Sequence, residues 1–409
     1  MAASKESQMR TARIVGPQER VDDRDTPHPR VARGELGERL RQVRSTPSKD
    51  PFRRISVSTS ATDPNNCFGW IMGNTPDGAV SPQRMEVPDP ARMSEKIKEV
   101  AKFFGADVVG ITYLDQAYVY SHRARTSQAR GEKAGEEIDI PHRFAICMGI
   151  AGDYEMYKAN PSRISDAEYG LGNARMCFSS FNLAAYIREM GYPALGHHFI
   201  RMDVNPIPLA VMAGLGELGR NGLLINGRYG PRLHLYVVTT DLPLVVDHPV
   251  DIGVEDVCKR CMKCARTCPS GSIPFGGKEV HNGVERWRIN VDSCYKLRAF
   301  HTDKWETCLT CIQSCCYNKP DTWWHNLALW LIEAPPIFLR PLFVKPLVWI
   351  DDLIWGKKPS YRVKWLDYDS TYTPEAKPCK VPGCKVHGPD GKAKKAQAAK
   401  RRFSVQIGT

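Results

Sequence analysis

The sequence has no stretch of apolar residues long enough to read as a membrane span. Five of its nine tryptophans fall within 323–355, yet Glu333, Pro335, Pro336, Arg340, Pro341, Lys345 and Pro346 break that segment too often for a spanning helix. No secretory or twin-arginine signal is visible either. Arg53-Arg54 lies far from the start and is followed by Ile-Ser-Val-Ser-Thr, without an apolar core. The expectation is a cytoplasmic protein, peripheral to a membrane at most. Residues 1–50 are short of large apolar side chains and rich in Arg, Pro, Asp and Glu, a composition that predicts disorder. The body of the chain also lacks net charge. Residues 1–54 carry +5 and residues 376–409 carry +8 of the total +12, which leaves about −1 for 55–375. The basicity thus belongs to two tails and does not form a nucleic-acid patch, so a nucleic-acid partner is not expected.

Cysteine is abundant, with 14 residues, and its spacing is the strongest signal in the chain. Cys258-x2-Cys261-x2-Cys264-x3-Cys268-Pro269 has the spacing of a bacterial ferredoxin loop, in which three thiolates hold one 4Fe–4S cluster and the fourth reaches to a second. Cys294 and Cys308-x2-Cys311-x3-Cys315 supply the remaining ligands. The scheme assigns Cys258, Cys261, Cys264 and Cys315 to one cluster and Cys268, Cys294, Cys308 and Cys311 to the other. Zinc knuckles or disulfides are the alternatives; three Cys at two-residue intervals wrap a cubane better than they make paired knuckles. Eight reduced, iron-loaded thiolates point to assembly in a reducing compartment. Cys67, Cys147, Cys177, Cys316, Cys379 and Cys384 are left over, the last two being either a weak metal or redox hint or an unremarkable tail pair.

Hydrophobic periodicity predicts a helix over 94–104, strands over 106–112, 144–150 and 233–240, and a helix over about 174–190. Alternating elements of this length indicate an α/β or α+β domain over roughly 91–250, preceded by an extended, largely disordered region (1–90). A loop-rich two-cluster segment (251–325), a Trp-rich apolar segment (326–375) and the basic tail (376–409) follow it. The Trp-rich stretch has three readings: a membrane-interface element, a cover for the cluster segment, or a homodimer contact. The Gly-rich turn 213–222 is weak evidence for phosphate binding, because Pro206 and Pro208 precede it and no dinucleotide fingerprint follows. Its glycines permit close approach by a large flat ligand.

Several segments in order resemble the cobalamin-dependent reductive dehalogenases. They are Phe-Gly-Ala-Asp-Val-Val-Gly-Ile (104–111), Ala-Tyr-Ile-Arg-Glu-Met-Gly-Tyr-Pro-Ala (185–194), Gly-Leu-Gly-Glu-Leu-Gly-Arg-Asn-Gly (214–222), Tyr-Gly-Pro-Arg (229–232) and Thr-Thr-Asp-Leu-Pro-Leu (239–244), followed by the two cysteine runs. The epoxyqueuosine reductases of tRNA modification share much of this pattern, and Cys315-Cys-Tyr-Asn-Lys319 resembles their Cys-Pro-Trp-Asn-Lys, with Cys316 where Pro is usual. The resemblance implies an α+β fold, a nitroreductase-like cobalamin-binding core followed by a bacterial ferredoxin-type domain with two 4Fe–4S clusters. It implies a base-off corrinoid, consistent with the absence of Asp-x-His-x-x-Gly. It also implies replacement of halogen by hydrogen on an organohalide.

Tyr169 and Arg232 fall where dehalogenases carry a proton-donating Tyr and its Arg/Lys partner, with Tyr154 and Tyr157 as alternatives. A phenol with an ordinary pKa of about 10 is protonated at neutral pH and a guanidinium stabilises the phenolate it leaves. His198 (with His197), Gly216, Arg220, Asn221, Thr240 and Asp241 are the implied corrinoid contacts; core positions are the alternative for the histidines. Respiratory members carry a twin-arginine signal, and catabolic members often carry a fused flavin and ferredoxin reductase portion. Neither is visible here, so an external ferredoxin or flavodoxin is the implied electron donor. The other readings are an epoxyqueuosine-reductase-like enzyme, with Asp153 or Asp166 as its acid, and a two-cluster electron carrier without catalysis.

Overall fold

The computed structural model describes residues 10–37, 77–126, 131–198, 201–300 and 307–356. Cys67, the Cys379/Cys384 pair, the basic tail and residues 1–9 and 38–50 lie outside these, so the expectations for them stand as stated. The described elements are β1 (Arg13–Ile14), α1 (Pro27–Ala32), α2 (Pro90–Phe103), β2 (Val108–Tyr113), β3 (Phe144–Ala151), α3 (Tyr154–Lys158) and α4 (Arg163–Glu189). After these come β4 (Ala194–His197), α5 (Pro206–Met212), β5 (Glu217–Leu218), β6 (Leu224–Ile225) and β7 (Leu233–Thr240). The cysteine segment and its cover comprise α6 (Val254–Cys261), α7 (Lys263–Thr267), β8 (Glu279–His281), β9 (Val284–Arg286), α8 (Val291–Phe300), α9 (Thr310–Gln313), α10 (Trp323–Glu333) and α11 (Arg340–Trp355).

The main sheet has the order β2-β3-β7-β4, and every pairing is antiparallel. It decides the α+β option. Strand β3 is central and reads with period two. Phe144, Ile146, Met148 and Ile150 face α2 and α4, where they meet Ile97, Ala101, Cys177, Leu183 and Ile187. Ala145 and Cys147 face the other way, onto Leu209, Ala210 and Val211 of α5. Helix α4 begins at Arg163, earlier than the periodicity predicts. Gly170 and Gly172 weaken the pattern there, and its start is a capping box in which Ser162 and Ser165 bond each other's backbone.

The disorder expected of the N-terminal region does not extend over 10–37. Its charged residues find partners far along the chain, which composition alone cannot show. Arg10 pairs with Asp256 at 2.8 Å, Arg30 with Asp292 at 2.7 Å, and β1 adds a strand to the β8–β9 hairpin. The Gly-rich turn does bring groups close, but they are the protein's own. A Cβ at Gly216 would lie 2.1 Å from the Ile225 carbonyl, and one at Gly214 would lie 2.4 Å from that of His248. The Trp-rich segment forms two helices whose inner side packs on α6 through Val254, Val257, Ile332 and Val344. No described helix is long and apolar enough to cross a membrane.

Glu217 ties the β5–β6 turn to the start of the cysteine segment by accepting hydrogen bonds from the Ile252 and Val254 amides at 2.8 and 3.0 Å. Burial pushes its carboxyl up to about 7. Because folding strengthens proton binding here, this contribution to stability is complete below the ordinary glutamate range and fades as pH rises through about 7. Glu217→Gln keeps an acceptor and removes the titration. Its thermal midpoint should therefore gain on the parent between about pH 5 and about pH 8, by the equivalent of roughly 1–3 kcal/mol. Parallel melting curves of the two proteins would contradict this.

Candidate active site and its cysteine sets

Helix α6 places Cys258 and Cys261 one turn apart. The helix is then broken by Met262 in a left-handed conformation (φ 50°), which brings Cys264 of α7 round to the same side. Cys258, Cys261, Cys264 and Cys315 line one small cavity together with Cys316, Arg220, Asn221 and Tyr317. The structure thus brings the first predicted set together and adds Cys316, which the spacing argument left over. The adjacent Cys315-Cys316 pair was the available signal.

In the second set, burial pushes Cys311 up, followed by the charges of Cys308, Cys264, Cys294 and Cys268, one of which belongs to the first set. Cys268 is lowered despite burial, because Ser270 and the amides of Ser270, Ser272 and Ile273 hydrogen-bond its sulfur. Among the described residues no three His, Cys, Asp or Glu side chains close on a single ion. The thiolates of a cubane bind separate irons and stand around the cluster, so its ligands need not converge on one point.

The second set is held by a buried polar latch. Asp166 accepts from the Thr307 amide at 2.7 Å and Asn160 accepts from the Leu309 amide at 2.8 Å. The Gln313 side chain donates to the Lys158 and Asn160 carbonyls, each at 2.6 Å. Asp166 therefore anchors the cysteine loop, and Asp153 caps α3 by accepting from the Met156 amide.

Beside this latch lies a cavity of about 400 Å³ between α4, the start of β7, residues 202–207 and 223–224, and the strap 26–28. A second lobe of about 220 Å³, reaching the β8–β9 hairpin, shares Tyr120, Asn205 and Ile207 with it. Tyr169 lines the larger lobe, as does Leu223. Both also pack with Cys311 against Tyr157, Leu309 and Ile312, so one wall separates the cavity from the second cysteine set.

His234, missed from sequence, lies on the same wall with its ring 5.6 Å from that of Tyr169, and its Nε2 is 2.6 Å from the Tyr157 hydroxyl. Burial pushes His234 down to about 4 and Tyr157 up, so a neutral phenol and a neutral imidazole share this hydrogen bond. Gly172 makes room, since a Cβ there would lie 2.2 Å from the His234 Nε2. That close approach explains a glycine inside a long helix.

Other predicted positions are engaged elsewhere. Arg232 is not joined to Tyr169. Its guanidinium donates to the Tyr229 carbonyl (3.2 Å), the Asn318 side chain (3.0 Å) and the Lys319 carbonyl (3.4 Å). It sits 5.6 Å from the ring of Tyr154, which burial pushes up to about 12. Arg220 clamps the cysteine loop by donating to the Cys258, Pro274 and Gly276 carbonyls and stacks 4.6 Å from the Trp287 ring. Asn221 lines the cysteine cavity. His198 meets the Cys177 sulfur at 3.2 Å and His197 meets Thr239 at 2.9 Å, both buried in the core. Thr240 donates to the Pro193 carbonyl and Asp241 accepts from the Arg143 amide. None of His198, Gly216, Arg220, Asn221 and Thr240 lines either lobe. Each of them has a structural partner within the protein, which sequence alone does not separate from ligand contact.

No family model matches the chain. It is 30% identical over 318 residues to the tetrachloroethene reductive dehalogenase of Sulfurospirillum multivorans, covering 70% of this chain and 62% of that protein. It is 29% identical over 286 residues to the corresponding Desulfitobacterium hafniense enzyme, covering 59% and 51%. A Bacillus subtilis epoxyqueuosine reductase is 24% identical over 300 residues, covering 65% and 73%. Among solved structures, a catabolic reductive dehalogenase superposes with a TM-score of 0.70 at 30% identity, over 83% of this chain and 47% of that one. A reductive dehalogenase whose structure suggests a mechanism for B12-dependent dehalogenation gives 0.70 at 29%, over 86% and 50%. The fold and the sequence together define an oxidoreductase relative of mixed helix and sheet. The chain belongs with the reductive dehalogenases, and the epoxyqueuosine reductases are more distant relatives. It spans about half to three-fifths of the length of the dehalogenases it matches.

If Gly216 serves packing and not a cofactor, Gly216→Ala should destabilise the chain by about 2 kcal/mol or more, since both its positive φ and the Ile225 carbonyl oppose a Cβ. Any folded fraction should bind cobalamin normally in a titration. Unchanged melting with lost cobalamin binding would reverse the assignment.

Proposed function

We propose that this chain is a reductive dehalogenase that replaces halogen by hydrogen on a small organohalide, using a base-off corrinoid and two 4Fe–4S clusters. The observation that carries the reading is the shared wall: Tyr169 and Leu223 face the cavity on one side and the Cys311 set on the other. When bound, the corrinoid supplies a strongly reducing cobalt centre, and two electrons and one proton convert the organohalide to hydrocarbon and halide ion. The two neighbouring cavities share Tyr120, Asn205 and Ile207 in their walls. A whole cobalamin is larger than the 400 Å³ cavity, so its binding would also draw on the neighbouring one.

The protein's own residues position, exclude water and deliver the proton. Met176, Met202, Ile207, Leu223 and Leu233 make the larger lobe apolar, and Tyr120 and Tyr295 add aromatic walls suited to an apolar halogenated substrate. One related dehalogenase has been solved with 3-bromo-4-hydroxybenzoic acid, which makes a halogenated phenol a reasonable first substrate. Tyr169 is the proton donor we favour, with His234 beside its ring. Tyr154, next to the Arg232 guanidinium, is the second candidate. Arg232 then acts by holding the 229–232 turn against 318–319. Electrons enter from an external ferredoxin or flavodoxin. The aspartates of the tRNA-reductase reading are committed to a helix cap and to the cysteine latch, which weighs against that reading.

The test is anaerobic purification, reconstitution with iron, sulfide and cobalamin, and assay of halide release from a brominated phenol with a reduced viologen. The expected result is about eight irons and one cobalt per chain. Tyr169→Phe should keep both metals and lose about 10²–10⁴-fold in turnover. Loss confined to Tyr154→Phe would move the donor. Failure to take up cobalamin would sink the dehalogenase reading.

A further inference from the structure

Helix α11 is amphipathic in the inverse sense. Its acidic residues point inward: Asp351 pairs with the buried Lys263 and lies 3.0 Å from Lys319, and Asp352 lies 3.2 Å from Lys263 and 3.5 Å from Arg266. Its outward stripe is Leu342, Trp349, Ile350, Leu353 and Ile354, with Lys345 and Pro346 between them at helical spacing. Trp349 is 64% exposed and Leu353 70%. Helix α10 repeats the arrangement with Trp323, Leu327 and Trp330 at i, i+4 and i+7, and the turn between the helices presents Phe338, 79% exposed. Apolar surface on this scale needs a cover.

From this geometry we infer that α10 and α11 form a docking face for an anionic lipid surface. Two features select lipid over a second copy of the chain. The helices hold their aspartates away from the outer face and neutralise them with Lys263, Lys319 and Arg266, which leaves Glu333 and Lys345 as the exposed charges of 323–355. The sequence that follows is cationic: residues 376–409 carry nine Lys/Arg against one Asp. Outward tryptophans combined with sequestered acids, in a chain whose sequence then turns cationic, are the chemistry of a segment lying in the headgroup region. Neither helix is long enough to cross, so the face lies on the membrane and does not span it.

The experiment is flotation of the full cluster-loaded chain with vesicles of phosphatidylcholine alone or mixed with phosphatidylglycerol. The expected result is binding to the phosphatidylglycerol vesicles, weakened by salt. Trp349→Ser with Leu353→Ser should lower partitioning about 100-fold, as should the independent pair Trp330→Ser with Phe338→Ser, with iron content unchanged in both. Binding that survives both pairs would assign it to the tail alone and overturn the proposal. So would the absence of vesicle binding, whether the chain is then a monomer or a dimer that either pair dissociates.

Discussion

The buried latch between 158–166 and 307–313 is the constraint on which the rest depends. A cysteine-rich loop has little apolar content of its own, so its position must come from directed hydrogen bonds. Here Asn160, Asp166 and Gln313 supply them with backbone partners. Each such bond contributes only about 1 kcal/mol net, whereas an orphaned buried partner costs about 1–3 kcal/mol. The latch therefore discriminates strongly against a displaced loop. It sets Cys311 against the packing that Tyr169 and Leu223 share with Tyr157, Leu309 and Ile312.

A second set of clamps does the same for the first cysteine group. Arg220 gathers the carbonyls of Cys258, Pro274 and Gly276, Glu217 receives the amides that open α6, and Arg232 fastens 229–232 to 318–319. Gly230 allows this last approach, since a Cβ there would lie 2.6 Å from the Tyr317 carbonyl. Charged side chains that a ligand-centred reading assigns to a cofactor are in this chain the fasteners between the sheet body and the cysteine segment.

What was legible follows from the range of the interactions. The gathering of Cys258, Cys261 and Cys264 was legible because their spacing is local, and β3 and β7 because alternation is local. Arg232 was not, since its partner Asn318 lies 86 positions away. The strap at 10–37 was misread as disordered because its ion pairs reach Asp256 and Asp292. Tyr169 was located from resemblance, whereas its neighbour His234 emerged only when α4 was packed on β7, with Gly172 the single trace of that contact in the sequence.

The most direct measurement of the central claim is reduction of bound cobalamin in a chain with Cys308→Ser and Cys311→Ser. The account predicts about half the iron and cobalamin still bound. Its absorbance should not change when a reduced flavodoxin or ferredoxin is added, although the parent's does. Cobalamin reduced at the parent's rate in this variant would show that electrons bypass the Cys311 set, and would contradict the account.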